Sequence, residues 1–121
     1  MGSRVYWIVP DSILGLELSG DLTVDDMRPL IWQSIDALRQ GPLSFMLDCA
    51  SLATVEPDVY ELSSFSQWIY HPNSRWFAYV APPPFFMRVM KMRHRGSSQV
   101  FDTTDDALYF LRRSANPKKR P

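Results

Sequence analysis

The sequence has little of what metalloproteins and many enzymes are built on. Its 121 residues include one cysteine, five glycines and two histidines. A single cysteine, Cys49, excludes an internal disulfide and a cysteine-based zinc site, and it suits a reducing, cytoplasmic setting. No glycine stands in a phosphate-binding pattern, and His71 and His94 do not form a helical metal-binding pair. We therefore predict no metal, no cofactor and no enzymatic activity.

Long apolar runs are also missing. No stretch reaches the roughly 18 apolar residues that mark a membrane-spanning helix. The first residues do not resemble a signal peptide, because they lack a charged start followed by an apolar region. The length predicts one domain, and an apolar content of 45% is enough for one core. We predict that residues 4–113 form the α/β domain and that residues 114–121 form a basic flexible tail. Residues 1–3 have the composition of a cloning remnant.

The chain has no net charge, but its two halves differ in sign. Residues 1–61 hold ten acidic and three basic residues, and residues 62–121 hold three acidic and ten basic residues. Because the halves of one domain interleave, this asymmetry favours a self-complementary surface. A homodimer is compatible with such a surface and is kept as an alternative. Zero overall charge argues against a dedicated nucleic-acid binder.

The apolar pattern predicts elements in the order β-β-α-β-α-β-α-β-α. Strands that alternate with single helices indicate a mostly parallel sheet with right-handed crossovers, and the opening hairpin adds one antiparallel strand. The predicted fold class is a single α/β domain with about five strands and four helices. The predicted strands span residues 4–9, 13–18, 43–49, 75–81 and 99–101.

The third strand, Leu43–Cys49, is the segment on which the functional prediction depends. Its run of apolar residues is typical of a strand buried on both faces in the interior of a parallel sheet. A polar turn, Ser51–Glu56, follows, and Pro57 then opens a helix. Open α/β sheets bind ligands beyond the carboxyl ends of their strands, so this turn and helix start are the predicted partner-binding surface. Its residues are Ser51, Thr54, Glu56, Asp58, Tyr60 and Glu61.

Two short segments carry a resemblance to a known family. Residues 20–23, Gly-Asp-Leu-Thr, lead into the first predicted helix, where Asp26 and Thr23 form a capping box. Residues 100–108, Val-Phe-Asp-Thr-Thr-Asp-Asp-Ala-Leu, lead into the last one. Over residues 4–113 the chain resembles the STAS family of anti-sigma-factor antagonists and the related SpoIIAA-like domains. The resemblance implies a non-enzymatic regulatory module that binds a protein partner.

The resemblance also implies a difference at the regulatory site. In that family a phosphorylatable serine lies in an Asp-Ser-Ser-Gly turn that opens the second helix. The matching residues here are Glu56, Pro57, Asp58 and Val59, so neither the serine nor the glycine is present. The chain would then lack the phosphorylation switch. Asp58 would either imitate a phosphorylated residue or simply favour the helix dipole.

A second functional hypothesis rests on residues 82–95. Arg88, Lys91 and Arg95 fall at i, i+3 and i+7, and Phe85 and Phe86 belong to the apolar residues interleaved with them. Such a basic amphipathic segment is typical of a surface that binds an apolar ligand or an anionic membrane. The alternative, an apolar stripe buried under a solvated charged face, stays open.

Overall fold

One mixed β-sheet organises the computed structural model, which describes residues 3–94 and 96–115. The strands lie in sequence order in the sheet, and only the first pair is antiparallel. The predicted α/β fold class, with its opening hairpin and four helices, is confirmed. The strands are β1 (Arg4–Val9), β2 (Ile13–Leu22), β3 (Leu43–Val55), β4 (Ser74–Val80) and β5 (Ser98–Phe101). The helices are α1 (Val24–Leu38), a 3₁₀ helix (Pro57–Glu61), α2 (Ser64–Ile69), α3 (Pro84–Arg93) and α4 (Thr104–Ala115).

The hairpin of β1 and β2 depends on one close backbone approach. Asp11 turns the chain with φ of 63°, a left-handed conformation that aspartate tolerates better than most residues. Gly15 pairs with Tyr6 across the ladder, and a Cβ on Gly15 would lie 2.6 Å from Cζ of the Tyr6 ring. The glycine therefore gives the tyrosine ring room to lie across β2.

The third strand is interior, as predicted, but it is longer than predicted. β3 pairs in parallel with β2 on one side and with β4 on the other. The predicted polar turn Ser51–Glu56 is wrong, because β3 continues to Val55 and pairs there with Leu22 at the end of β2. The strand is held here by its backbone pairing with β2, by Leu52 and Val55, which pack against the core, and by a hydrogen bond between Thr54 and Asp21.

The second predicted helix is divided in two. Pro57 opens a 3₁₀ helix, and the chain is extended at Leu62 before α2 begins at Ser64. The predicted apolar stripe still points inward, since Val59, Phe65 and Ile69 are buried. The spacing therefore identified the buried face correctly and missed the break in the backbone.

Helices cover both faces of the sheet. Alternate residues of β3, such as Phe45 and Leu47, join the larger core beneath α1, α2 and α3, whereas Met46 joins the smaller core beneath α4. The capping box at the start of α1 is confirmed: the Asp26 amide donates to Thr23 Oγ1 at 3.1 Å, and the Thr23 amide donates to Asp26 Oδ2 at 3.2 Å. At the other end, α4 includes Ser114 and Ala115 of the predicted tail. Predictions for residues 1–2 and 116–121 concern parts of the chain outside the described residues.

A buried histidine links β4 to the end of α3. His94 is 5% exposed, its Nε2 lies 2.7 Å from the Tyr79 hydroxyl, and its Nδ1 lies 3.4 Å from Ser97 Oγ. A neutral imidazole can donate from one nitrogen and accept at the other, which suits two hydroxyl partners. Burial lowers the pKa of His94 from 6.5 to about 4.

This pKa predicts a loss of stability in acid. Above pH 6.5 the histidine is neutral in both states, but between pH 6.5 and about 4 only the unfolded chain takes up the proton. The free energy of unfolding should therefore fall by about 3 kcal/mol over that range on account of His94. Urea denaturation at pH 7 and pH 4.5 checks this, because the midpoint should fall further between the two pH values in the wild type than in His94→Gln. Equal drops in wild type and His94→Gln would contradict the prediction.

Candidate functional site

The carboxyl ends of β3 and β4 bring two segments of the chain face to face. The 3₁₀ helix follows β3, and Pro82–Pro83 leads from β4 into α3. Ala81, with φ of 47°, turns the chain at the end of β4 while its amide donates to the Phe101 carbonyl at 2.8 Å. The sheet thus places the 3₁₀ helix and the start of α3 on either side of one opening.

That opening is an apolar cavity of about 580 Å³. Its lining comes from the end of β3, the 3₁₀ helix and the first two turns of α3. Phe85 is 57% exposed beside it, and Phe86 is buried. The lining residues are Ala53, Thr54, Val55, Pro57, Tyr60, Glu61, Pro83, Phe85, Phe86 and Val89. We refer to it below as the apolar cavity.

Tyr60 joins the two walls of the apolar cavity. Its ring makes an edge-to-face contact with Phe85 at 5.4 Å between centroids and a tilted contact with Phe86 at 6.2 Å. Its backbone carbonyl accepts a hydrogen bond from the Arg93 guanidinium, which also lies over the Phe65 ring at 5.4 Å. Partial burial raises the pKa of the Tyr60 phenol.

A second depression, also of about 580 Å³, lies between the start of α1 and the 3₁₀ helix. Four carboxylates and one guanidinium are among the side chains that line it, and Glu61 belongs to the apolar cavity as well. We call it the acidic groove. Its lining residues are Thr23, Val24, Asp25, Arg28, Glu56, Asp58, Glu61 and Leu62.

Two of the polar residues here also hold the local backbone together. Glu56 Oε1 accepts the Val24 amide at 2.9 Å and so caps the first turn of α1. Thr54 Oγ1 donates to Asp21 Oδ1 at 2.7 Å and links the extended ends of β3 and β2. The site is therefore tied to the framework at Thr54 and Glu56, whereas Asp58 and Glu61 are exposed.

The two sets of residues predicted from the sequence converge on this site. Of the predicted partner-binding surface, Thr54, Tyr60 and Glu61 line the apolar cavity, and Glu56, Asp58 and Glu61 line the acidic groove. Of the alternative ligand face, Phe85 and Phe86 line the same apolar cavity.

The remaining predicted residues lie elsewhere. Ser51, Arg88 and Lys91 are exposed and belong to neither lining, and Arg95 is outside the described residues. Sequence reasoning named neither Pro83 nor Val89 as a site residue, although both lie in the segment 82–95 on which the second hypothesis rests. The available signal was the position of residues 82–84 directly after the apolar strand that neighbours β3.

Chemistry other than binding finds little support in the described part of the chain. Burial, reinforced by the neighbouring Asp48 carboxylate, raises the pKa of the Cys49 thiol to about 12, which is unfavourable for a nucleophile. Residues 3–94 and 96–115 contain no group of three or more His, Cys, Asp or Glu side chains arranged to hold a metal. Nor does any helix within those ranges have the length and apolarity to cross a membrane.

Similar folds occur among solved structures. An uncharacterised protein of the DUF3478 family from Shewanella loihica, described as having a SpoIIAA-like fold, aligns with a TM-score of 0.70 at 18% identity, over 91% of this chain and 94% of that one. The anti-sigma factor antagonist SpoIIAA in its unphosphorylated form aligns with a TM-score of 0.69 at 12% identity, over 93% and 98%. An anti-sigma factor antagonist from Mycobacterium paratuberculosis aligns with a TM-score of 0.61 at 14% identity, over 92% and 95%.

These alignments establish a shared fold. No family model and no curated protein sequence matches the chain. At identities of 12–18%, the structures show that the chain has the SpoIIAA-like fold, and the resemblance expected from residues 20–23 and 100–108 is confirmed at that level.

The capping contact of Glu56 predicts a stability effect at the site. Glu56→Ala removes the acceptor for the Val24 amide and should lower the free energy of unfolding by about 1 kcal/mol. Asp58→Ala, two residues on and exposed, is the matched control and should change it by less than about 0.5 kcal/mol. Urea denaturation of both variants at pH 7 checks this, and equal losses would show that the cap contributes nothing specific.

Proposed function

We propose that the chain is a regulatory module without catalytic activity of its own, which binds a protein partner through the acidic groove and the 3₁₀ helix. The observation that carries the proposal is the combination of a SpoIIAA-like fold with charged side chains after β3 that are accessible to solvent. Asp58 and Glu61 are exposed, and Tyr60 is half-buried between them. Charged and aromatic side chains that remain accessible at one end of a sheet are suited to recognition of another protein.

The fold suggests the class of partner. Solved proteins that share it include anti-sigma factor antagonists. We propose an anti-sigma factor, or a protein of that kind, as the partner, and the cytoplasm as the place where they meet. Asp58 stands in the first turn of the 3₁₀ helix, the position that the family resemblance assigns to the phosphorylatable serine. We propose that this aspartate leaves the module without that switch.

The alternative function, binding of an apolar ligand or an anionic membrane through residues 82–95, stays a prediction. Phe85 is 57% exposed and Met92 is 81% exposed, so α3 does present apolar side chains. However, Arg88 and Lys91 lie outside the lining that Phe85 and Phe86 share with the 3₁₀ helix. The apolar residues of α3 are therefore better placed to serve the same partner-binding site than a separate one.

Binding measurements test the proposed partner. Anti-sigma factors encoded by the same genome would be purified and titrated against the chain by isothermal titration calorimetry. Tyr60→Ala and Asp58→Lys should each weaken the interaction by about tenfold, because each alters a contact in the centre of the surface. Asp105→Lys, on α4 across the sheet, introduces the same charge change at an exposed position and should leave the affinity unchanged.

The outcomes separate the surface from the partner class. Wild-type affinity in Tyr60→Ala and Asp58→Lys would show that the partner uses a different face. Absence of binding to every anti-sigma factor tested would show that the proposed partner class is wrong.

A further inference from the structure

We propose that the apolar cavity and the acidic groove together bind one amphipathic helix of a protein partner, with apolar side chains entering the cavity and lysines or arginines facing the groove. This inference rests on the proposed function and specifies the chemistry of the partner. It treats the two depressions as one surface with an apolar half and an acidic half.

The two depressions are adjacent because both are lined by the 3₁₀ helix. Glu61 lines both, Tyr60 and Pro57 line the apolar side, and Asp58 lines the acidic side. The five-residue 3₁₀ helix therefore separates an apolar wall from an acidic wall. A helix laid across it would meet both walls along adjacent stripes, as an amphipathic helix does in a hydrophobic groove.

The charges around this surface select a basic partner. The lining of the acidic groove contains one cation, Arg28, and four carboxylates, those of Asp25, Glu56, Asp58 and Glu61. The lining of the apolar cavity contains one charged side chain, Glu61. The cations of α3 do not line the acidic groove: Arg88 and Lys91 are outside both linings, and Arg93 donates a hydrogen bond to the Tyr60 carbonyl. Complementary potential then favours positive side chains beside the apolar anchor.

The same charges disfavour other occupants of the cavity. An anionic membrane that approached Phe85 would also approach the carboxylates of the acidic groove. A neutral apolar ligand would fill the cavity and leave the groove unused.

A second copy of the chain offers two described helices with a basic last turn, α3 with Lys91 and Arg93 and α4 with Arg112 and Arg113. The helix α3 already forms one wall of the apolar cavity, and the α4 residues Ala107 and Leu111 are buried against the sheet. A helix from a different protein is the occupant that matches both halves of the surface.

A pair of model peptides tests the inference. Both are 18-residue helices with leucine at i, i+3, i+4 and i+7 and one phenylalanine on the same stripe; one carries lysines along one flank, and the other carries glutamates at the same positions. Each is titrated into the ¹⁵N-labelled full chain while amide shifts are followed by NMR. The lysine peptide should shift the amides of Thr54, Tyr60, Glu61 and Val89, and the glutamate peptide should bind at least about tenfold more weakly.

Variants assign the two halves of the surface. Glu61→Lys should weaken the lysine peptide about tenfold and strengthen the glutamate peptide, whereas Phe85→Ser should weaken both about tenfold. Asp105→Lys on α4 is the control and should change neither affinity. Phe85 and Glu61 are exposed, so both variants should fold, and their amide spectra outside the site confirm this.

Several results would overturn the inference. Equal affinity for the two peptides would show that the acidic groove does not contribute to binding. Absence of amide shifts up to about 1 mM peptide would show that the surface does not bind such a helix. Co-sedimentation with anionic vesicles that Phe85→Ser abolishes would assign the cavity to a membrane. A concentration-dependent dimer that Phe85→Ser dissociates would assign it to a second copy. If the peptides fail while Tyr60→Ala still weakens an anti-sigma factor, the proposed function stands and this inference falls.

Discussion

The structure depends on the pairing of β3 along both of its edges. From Ser44 to Asp48 the strand lies between β2 and β4, with one irregularity of the β4 ladder between Leu43 and Phe45, and its residues are buried as far as Leu47. Beyond Asp48, β4 has ended, and only β2 continues beside β3 to Val55. One edge of β3 is therefore open at the carboxyl end, and the apolar cavity lies among the residues that follow it. The site exists because one neighbouring strand stops before the other.

Local interactions then fix the shape of that open end. Glu56 caps α1 and so places the start of the 3₁₀ helix beside the first turn of α1. Tyr60 packs against Phe85 and Phe86 and sets the spacing to α3. None of these contacts requires Asp58 or Glu61, which are left exposed to the surroundings. The residues that support the surface and the residues that give it charge are largely different ones.

The sequence was sufficient for the fold because the relevant signals are local and repeated. The apolar run of residues 43–49, the capping pair Thr23 and Asp26, and the alternation of strands with helices each predict one element that the structure contains. The end of β3 was not predictable in the same way. Ser51 and Thr54 have the composition of a turn, and contacts with the extended end of β2, which is distant in sequence, hold them in a strand.

The candidate site could be predicted in part, for a related reason. Residues 51–61 were found because the carboxyl end of an interior strand is a general binding position. Phe85 and Phe86 were found separately, from the amphipathic pattern of their own segment. That the two sets line one cavity follows from the parallel order of β3 and β4, which sequence spacing does not encode. Arg88 and Lys91 are exposed on α3 and do not line the cavity, whereas Phe85, Phe86 and Val89 do.

Arg93 gives this end of the molecule a property that the sheet alone would not confer. Its guanidinium bonds to the Tyr60 carbonyl and lies over the Phe65 ring, and it precedes the buried His94. The two walls of the cavity belong to the 3₁₀ helix and α3, which are not joined by strand pairing. The Arg93 side chain links them through its hydrogen bond from α3 to the Tyr60 carbonyl. Arg93 and Tyr60 therefore both contribute to the spacing of the walls, and a substitution at Arg93 would change what fits between them without changing any residue of the lining.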